Sequence, residues 1–196
     1  MKKGEQVLRE ILYQCMEQKN RRLTQRELSI GLHTALSNVH HAIQPLVKMG
    51  AIAVQGRNFT IISPRKILLY WASVRSIQKD IIYATRVDEG ASAMEKRMPA
   101  DVVFTACSGY KLKFKEMPAD YSEVYIYADN GEEIKRRFGE SRNPPNLFVL
   151  QKDRNMERYG KTATWANLFV DLWNMKEWYA ADFLKALEAK LHGILE

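Results

Sequence analysis

The stretch TQRELSIGLHTALSNVHHAIQPLVKMG, Thr24 to Gly50, constrains the fold more than any other part of the chain. Thr24 is placed to accept from the backbone N–H three residues on, and Glu27 to reach back to Thr24, so a helix is predicted to begin here on a capping box. Leu28 and Leu32 fall four apart and put one apolar face on this short helix, residues 25–32. A second helix is predicted over 37–49, where Val39, Ile43, Leu46 and Val47 recur at helical spacing and Gly50 supplies the stop. Two adjacent helices with inward faces must bury them against neighbours, and the flanking sequence offers both.

Upstream, Val7, Leu8, Ile11, Leu12 and Cys15 line one face of a first helix, which ends in the polar run Glu17 to Arg22. Downstream, Ala51 to Val54 and Phe59 to Ile62 are rich in β-formers and flank a turn at Gln55 to Asn58, so a hairpin is predicted. The charge supports a polyanionic partner for this part of the chain. Residues 1–63 hold nine Lys and Arg against four Asp and Glu, whereas the rest holds 21 against 19, which places most of the net +7 near the N-terminus.

Three helices and a hairpin make the layout of a winged helix-turn-helix, and residues 24–54 resemble MarR-like and related winged-helix regulators. Leu28, Leu32, Val39, Ile43, Leu46 and Gly50 carry the resemblance without gaps. It implies that the 37–49 helix enters the major groove of duplex DNA and that the hairpin is a wing. Ser37, Asn38, His40, His41 and Gln44 would then read base edges, Asn and Gln being suited to adenine. Arg21, Arg22, Arg26, Lys48, Arg57 and Asn58 would contact phosphates or form the wing. Two features depart from the pattern. His33 stands where these regulators place a turn glycine, and Pro45 removes a hydrogen bond and should bend the helix past its reading residues. Adjacent helix positions point about 100° apart, so His40 and His41 do not chelate one ion.

From Pro64 the pattern predicts a long helix to Thr85, with Ile67, Leu68, Trp71, Val74, Ile81 and Ile82 apolar, linking two domains, 1–63 and 64–196. A short helix is expected over 91–98. Beyond it, 102–105, 123–128 and 146–150 read as strands, 132–138 as a helix, and 163–173 and 177–191 as C-terminal helices. The expected class is α+β: a winged helix-turn-helix followed by an α/β domain with a small sheet and C-terminal helices. The aromatic residues Tyr159, Trp165, Trp173, Trp178 and Tyr179 read as core at helical spacing, with some left open to a partner interface.

The order DVVFTACSGYKLKF, EVYIYA, NLFVLQKD, TATWANLFVDLWNMKEWYAADFLKAL is similar to the C-terminal region of AbiEi-type antitoxins. The matching positions are Phe104, Thr105, Ser108, Leu168, Asp171, Leu172, Ala180, Ala181 and Leu184. That resemblance implies a repressor binding inverted repeats in its own promoter, and a nucleotidyltransferase-like toxin as partner. A sequence-specific, double-stranded-DNA-binding transcriptional regulator is the expected function. An alternative is a nuclease or nucleotidyltransferase, because Asp120 with Glu133-Ile134-Lys135 faintly echoes a metal-dependent nuclease pattern. In that pattern the acid and lysine lie on a strand, and here they read as a surface helix. A protein adaptor that binds no DNA is the third reading.

No Gly-rich phosphate loop and no nucleophile with a matching base is visible, so neither enzymatic activity nor a cofactor or metal is expected. Cys15 and Cys107 stand far apart and read as reduced core thiols. No run approaches the roughly 18 apolar residues of a membrane span, and the start MKKGEQVLRE lacks a secretory leader pattern, so a cytoplasmic chain with no membrane partner is expected. Self-association is left open, with 64–85 the candidate helix.

Overall fold

A computed structural model describes residues 1–195. It is an α+β fold with nine α-helices and two small sheets among the described residues. None of the helices among them is long and apolar enough to cross a membrane. The chain separates into two compact units: the first holds residues 1–75, 164–170 and those from Glu188 on, the second residues 76–163 and 171–187.

In the first unit the order is α1 (Lys3–Met16), β1 (Arg22–Thr24), α2 (Gln25–Gly31), α3 (Leu36–Lys48), β2 (Ile52–Gln55), β3 (Asn58–Ile61) and α4 (Pro64–Val74). The apolar faces expected from periodicity converge: Val7, Ile11, Leu12, Leu32, Val39, Ile43, Leu46, Phe59 and Trp71 are all at most 1% exposed. α2 starts on the expected capping box, with Glu27 N donating to Thr24 Oγ1 at 3.1 Å and Thr24 N donating to Glu27 Oε2 at 3.0 Å. The three strands form an antiparallel sheet in the order β1-β3-β2. Gln55 pairs with Asn58, which leaves Gly56 and Arg57 as the turn; Gly56 has φ +59°, where a side chain would be strained.

Three local expectations are corrected. β1, missed in the sequence, holds only Arg22, Leu23 and Thr24, and its partners Asn58 to Thr60 lie more than thirty residues away. α3 runs unbroken through Pro45 to Lys48, so the proline is accommodated inside the helix. The long helix expected over 64–85 ends at Val74, where Arg75 turns to an extended backbone. A 3₁₀ turn (Ile77–Asp80) follows, and then β4 (Ile81–Thr85). The apolar run at 77–82 fits a strand as well as a helix, and pairing with a partner strand decides it. The division therefore falls at Arg75 rather than Ser63, and α4 belongs with the first unit.

The second unit contains β4, α5 (Ala91–Lys96), β5 (Val103–Phe104), α6 (Ala106–Phe114), β6 (Val124–Ala128), α7 (Glu132–Phe138) and β7 (Leu147–Gln151). Its sheet runs β4-β7-β6-β5, parallel only between β6 and β7, the pair that α7 connects. Every residue of β6 is buried. The alternation in VYIYA therefore separates two covered faces, not an inner from an outer one. Val124, Ile126 and Ala128 pack with Met94, Ile134 and Val149, while Tyr125 stacks on Phe148 and Tyr127 donates to the buried Asp171 at 2.7 Å. α8 (Trp165–Trp173) and α9 (Ala180–Leu195) close the chain. Of the aromatic residues expected in the core, Tyr179 is buried, but Trp173 and Trp178 stand 48% and 76% exposed. Helical spacing gives a stripe its direction without saying whether anything covers it.

Candidate nucleic-acid interface

The site begins at the turn between α2 and α3. Thr34 N donates to Ser29 O at 3.0 Å and Ser29 Oγ donates to Thr34 O at 2.7 Å, so one serine closes the turn from both directions. Asn38 Nδ2 donates to Thr34 Oγ1 at 3.0 Å and ties the first turn of α3 to the same point. His33 takes φ +48°, the left-handed backbone that a glycine would supply freely and that His tolerates better than most. The turn thus forms with the histidine in place. Ser29 and Thr34 were not singled out by sequence reasoning; the one available signal was their polar character inside an otherwise apolar helix-turn rhythm.

From this anchor α3 presents a regular outer face. Ser37, His40, His41, Gln44 and Lys48 recur every three or four residues, opposite the buried Val39, Ile43 and Leu46. Ser37, His40, His41 and Lys48 are exposed, and Asn38 and Gln44 are partly so. Gln44 Nε2 lies 3.1 Å from His40 Nε2, one turn away. With the amide donating, His40 Nε2 accepts and Gln44 Oε1 keeps its acceptor capacity. The His40 and His41 rings meet edge to face with centroids 6.1 Å apart. Asn38 is committed through its amide nitrogen to the turn, so it braces α3 while its oxygen remains an acceptor.

The cationic residues divide into two groups. Arg26, Lys48 and Arg57 are exposed on α2, the last turn of α3 and the hairpin turn. Arg22, also exposed, is steadied by its cross-strand neighbour: with the Asn58 amide oxygen turned toward it, that oxygen accepts from Arg22 Nε at 3.3 Å and Nη2 at 2.8 Å. Arg21 is different, because its Nη2 donates to the Ile194 carbonyl at 3.3 Å near the end of α9. It also lies beside Cys15, whose thiol burial pushes upward while Arg21 pulls it back. Lys66, not foreseen, donates to the Met49 carbonyl at 2.9 Å and caps the end of α3.

Acidic groups are nearly absent from this surface. Residues 1–75 hold twelve Lys and Arg against four Asp and Glu, and from Leu28 to Lys79 there is no carboxylate at all. Each of the four has a partner within the first unit. Glu5 pairs with Arg75 at 3.1 Å, Glu10 accepts from Gln14 at 2.9 Å, Glu17 accepts from Trp165 N at 2.8 Å, and Glu27 serves the capping box. Potential from the exposed cations is therefore little cancelled along α3 and the hairpin.

In the second unit the residues of the nuclease-like pattern are not gathered into a site. Glu133 and Lys135 lie on α7, not on a strand: Glu133 is bonded to Arg137, and Lys135 to Glu140 at 2.6 Å. Asp120 is exposed in the segment before β6. Among the described residues, no three His, Cys, Asp or Glu gather where they could hold a metal ion. The residues that carry the C-terminal resemblance are mostly interior: Thr105, Ser108, Leu168, Asp171, Leu172 and Ala180 are buried, Phe104 and Leu184 are half-buried, and Ala181 is exposed. Thr105 Oγ1 donates to Asp171 Oδ2 at 2.7 Å, the oxygen that also accepts from Tyr127. Lys152 is buried as well; burial pulls its ammonium down, but the hydrogen bonds it donates to Asp129 and Glu157, both at 2.9 Å, outweigh that and hold it above the usual lysine value.

Comparisons with protein-family models, with curated proteins and with solved structures found no match.

Proposed function

We propose that the first unit is a winged helix-turn-helix that binds duplex DNA and that the chain is a sequence-specific transcriptional regulator. The observation that carries this reading is that the first unit has no Asp or Glu from Leu28 to Arg75, the stretch in which a hydrogen-bonding helix face stands beside the exposed Lys48 and Arg57. Such a surface suits a helix laid in the major groove with flanking cations on phosphates. α3 would enter the groove with Ser37, His40, His41 and Gln44 toward base edges. Arg22, Arg26, Lys48 and Arg57 would meet phosphates, Arg57 from the wing tip. Arg21, held by the end of α9, contributes less. An antitoxin role belongs to the same reading as its narrower form, and it adds a toxin partner for the second unit.

The test is fluorescence anisotropy on the DNA upstream of the chain's own reading frame. Arg57→Ala is expected to weaken binding to every sequence alike and to reduce the magnitude of the salt slope by about one. Gln44→Ala is expected to cost about 1–3 kcal/mol at particular base pairs and to relax specificity there. Variants that leave affinity and base preference unchanged would refute the reading. For an enzyme, turnover that requires Glu133 or Asp120 would be the decisive contrary result.

A further inference from the structure

Neither charge nor hydrogen bonding explains the apolar side chains exposed on α2, α3 and the hairpin, among them Ile30, Leu36, Val47 and Val54. Leu36 is the first residue of α3 and stands 52% exposed, next to Ser37 and one turn before His40. Arg26 and Ile30 on α2 are exposed as well, Ile30 at 64%. On α3 the other exposed aliphatic side chain, Val47 at 37%, lies three turns further on, so Leu36 stands against water at the leading end of the helix, and water is a poor partner for it. In the major groove of DNA the edges of the bases are polar with a single exception, the C5-methyl group of thymine. The positive surroundings match a polyanion and disfavour an apolar protein surface as the occupant.

Resting on the reading of α3 as the groove helix, we propose that Leu36 packs on a thymine methyl group and makes thymine at that position a determinant of the DNA sequence bound. The residues that lead the recognition helix are those that reach base edges, which places Leu36 where such a contact forms. Burying one methyl against a leucine is expected to change affinity about three- to tenfold, from roughly 0.8 kcal/mol per buried carbon group.

The experiment replaces thymines one at a time by deoxyuridine in the shortest upstream fragment bound by the full chain. Deoxyuridine keeps the pairing and the O4 acceptor and lacks only the methyl. Anisotropy is measured at fixed salt for the wild type and for Leu36→Ala, an exposed substitution that helix propensity favours. At one thymine, or one in each half-site, the wild type loses three- to tenfold on demethylation while Leu36→Ala, already weakened by that amount, loses nothing more. Equal losses for both proteins at every position overturn the thymine assignment while leaving DNA binding standing. Failure of the wild type to bind any duplex in a salt-dependent way overturns both readings together.

Discussion

Ala35→Asp separates what stabilises α3 from what lets it approach DNA. Ala35 has the extended backbone of a helix N-cap, φ −62° and ψ 144°, but no side-chain oxygen to accept from the first-turn N–H groups. Asp or Ser at this position would contribute about 0.5–2 kcal/mol over Ala. The aspartate adds roughly 0.3–1 kcal/mol through the positive end of the helix dipole. With an m value of about 2 kcal/mol/M and a mid-range gain of about 1.5–2 kcal/mol, the urea midpoint should rise by roughly 0.8–1 M. Binding should move the other way. A carboxylate about 4 Å from a phosphate in water repels it by about 1 kcal/mol, near a fivefold loss of affinity. Ala35→Ser is the control, gaining the cap without the charge and keeping affinity within about twofold. Urea unfolding followed by circular dichroism and anisotropy on the upstream fragment give both readouts. Equal DNA affinity for the Asp and Ser variants would refute the placement of this helix end at the phosphates.

The remaining predictions concern the groups that hold the scaffold. Glu5 receives Arg75 Nη1 at 3.1 Å and Trp71 Nε1 at 3.3 Å in the interior of the first unit. Glu5→Ala should therefore destabilise by about 3–5 kcal/mol in urea unfolding, and Glu5→Gln, which keeps an acceptor, by less; equal costs for the two would contradict the pair's role. His33→Val should be less stable than His33→Gly by about 1–2 kcal/mol, because only glycine takes the left-handed backbone without crowding a Cβ; similar urea midpoints would show that the turn rearranges. Burial, with Glu123 and Glu177 adding to it, pushes the Cys107 thiol and Tyr125 hydroxyl above their usual values of 9.0 and 10.0. Unfolding lets both ionise sooner, so their contribution is fully present below about pH 9 and is lost as pH rises beyond it. Denaturation midpoints that stay level from pH 8 to pH 11 would contradict this.

The legible parts of the chain were those in which local chemistry and tertiary packing agree. The Thr24–Glu27 box and the spacing of Val39, Ile43 and Leu46 set α2 and α3 in the sequence, and each helix begins and ends within a residue of its expected bounds. β1 was hidden because its three residues gain order only by pairing with β3, which no local pattern announces. α6 was missed for a related reason: buried on most of its residues, ACSGYKLKF shows little contrast between faces. The helix assigned to 64–85 failed because an apolar run at helical spacing continues past Arg75, and burial against a sheet satisfies it equally well. The candidate site was legible as a list of exposed residues and not as a set of partnerships. That Arg22 leans on Asn58 and that Arg21 reaches the end of α9 follow from contacts made across the fold, and that Asn38 braces the turn from a bond to Thr34 four residues back.

The central claim is that the α3 face of the first unit binds duplex DNA, and its most direct test is the salt dependence of that binding. Titrating the upstream fragment at several salt concentrations by anisotropy should give a log–log slope of about −3.6, from about four phosphate contacts at roughly 0.9 ions released for each. The fragment should also be bound more tightly than a scrambled duplex of the same length. A flat salt response, or equal affinity for the two duplexes, would contradict a sequence-reading interface on α3.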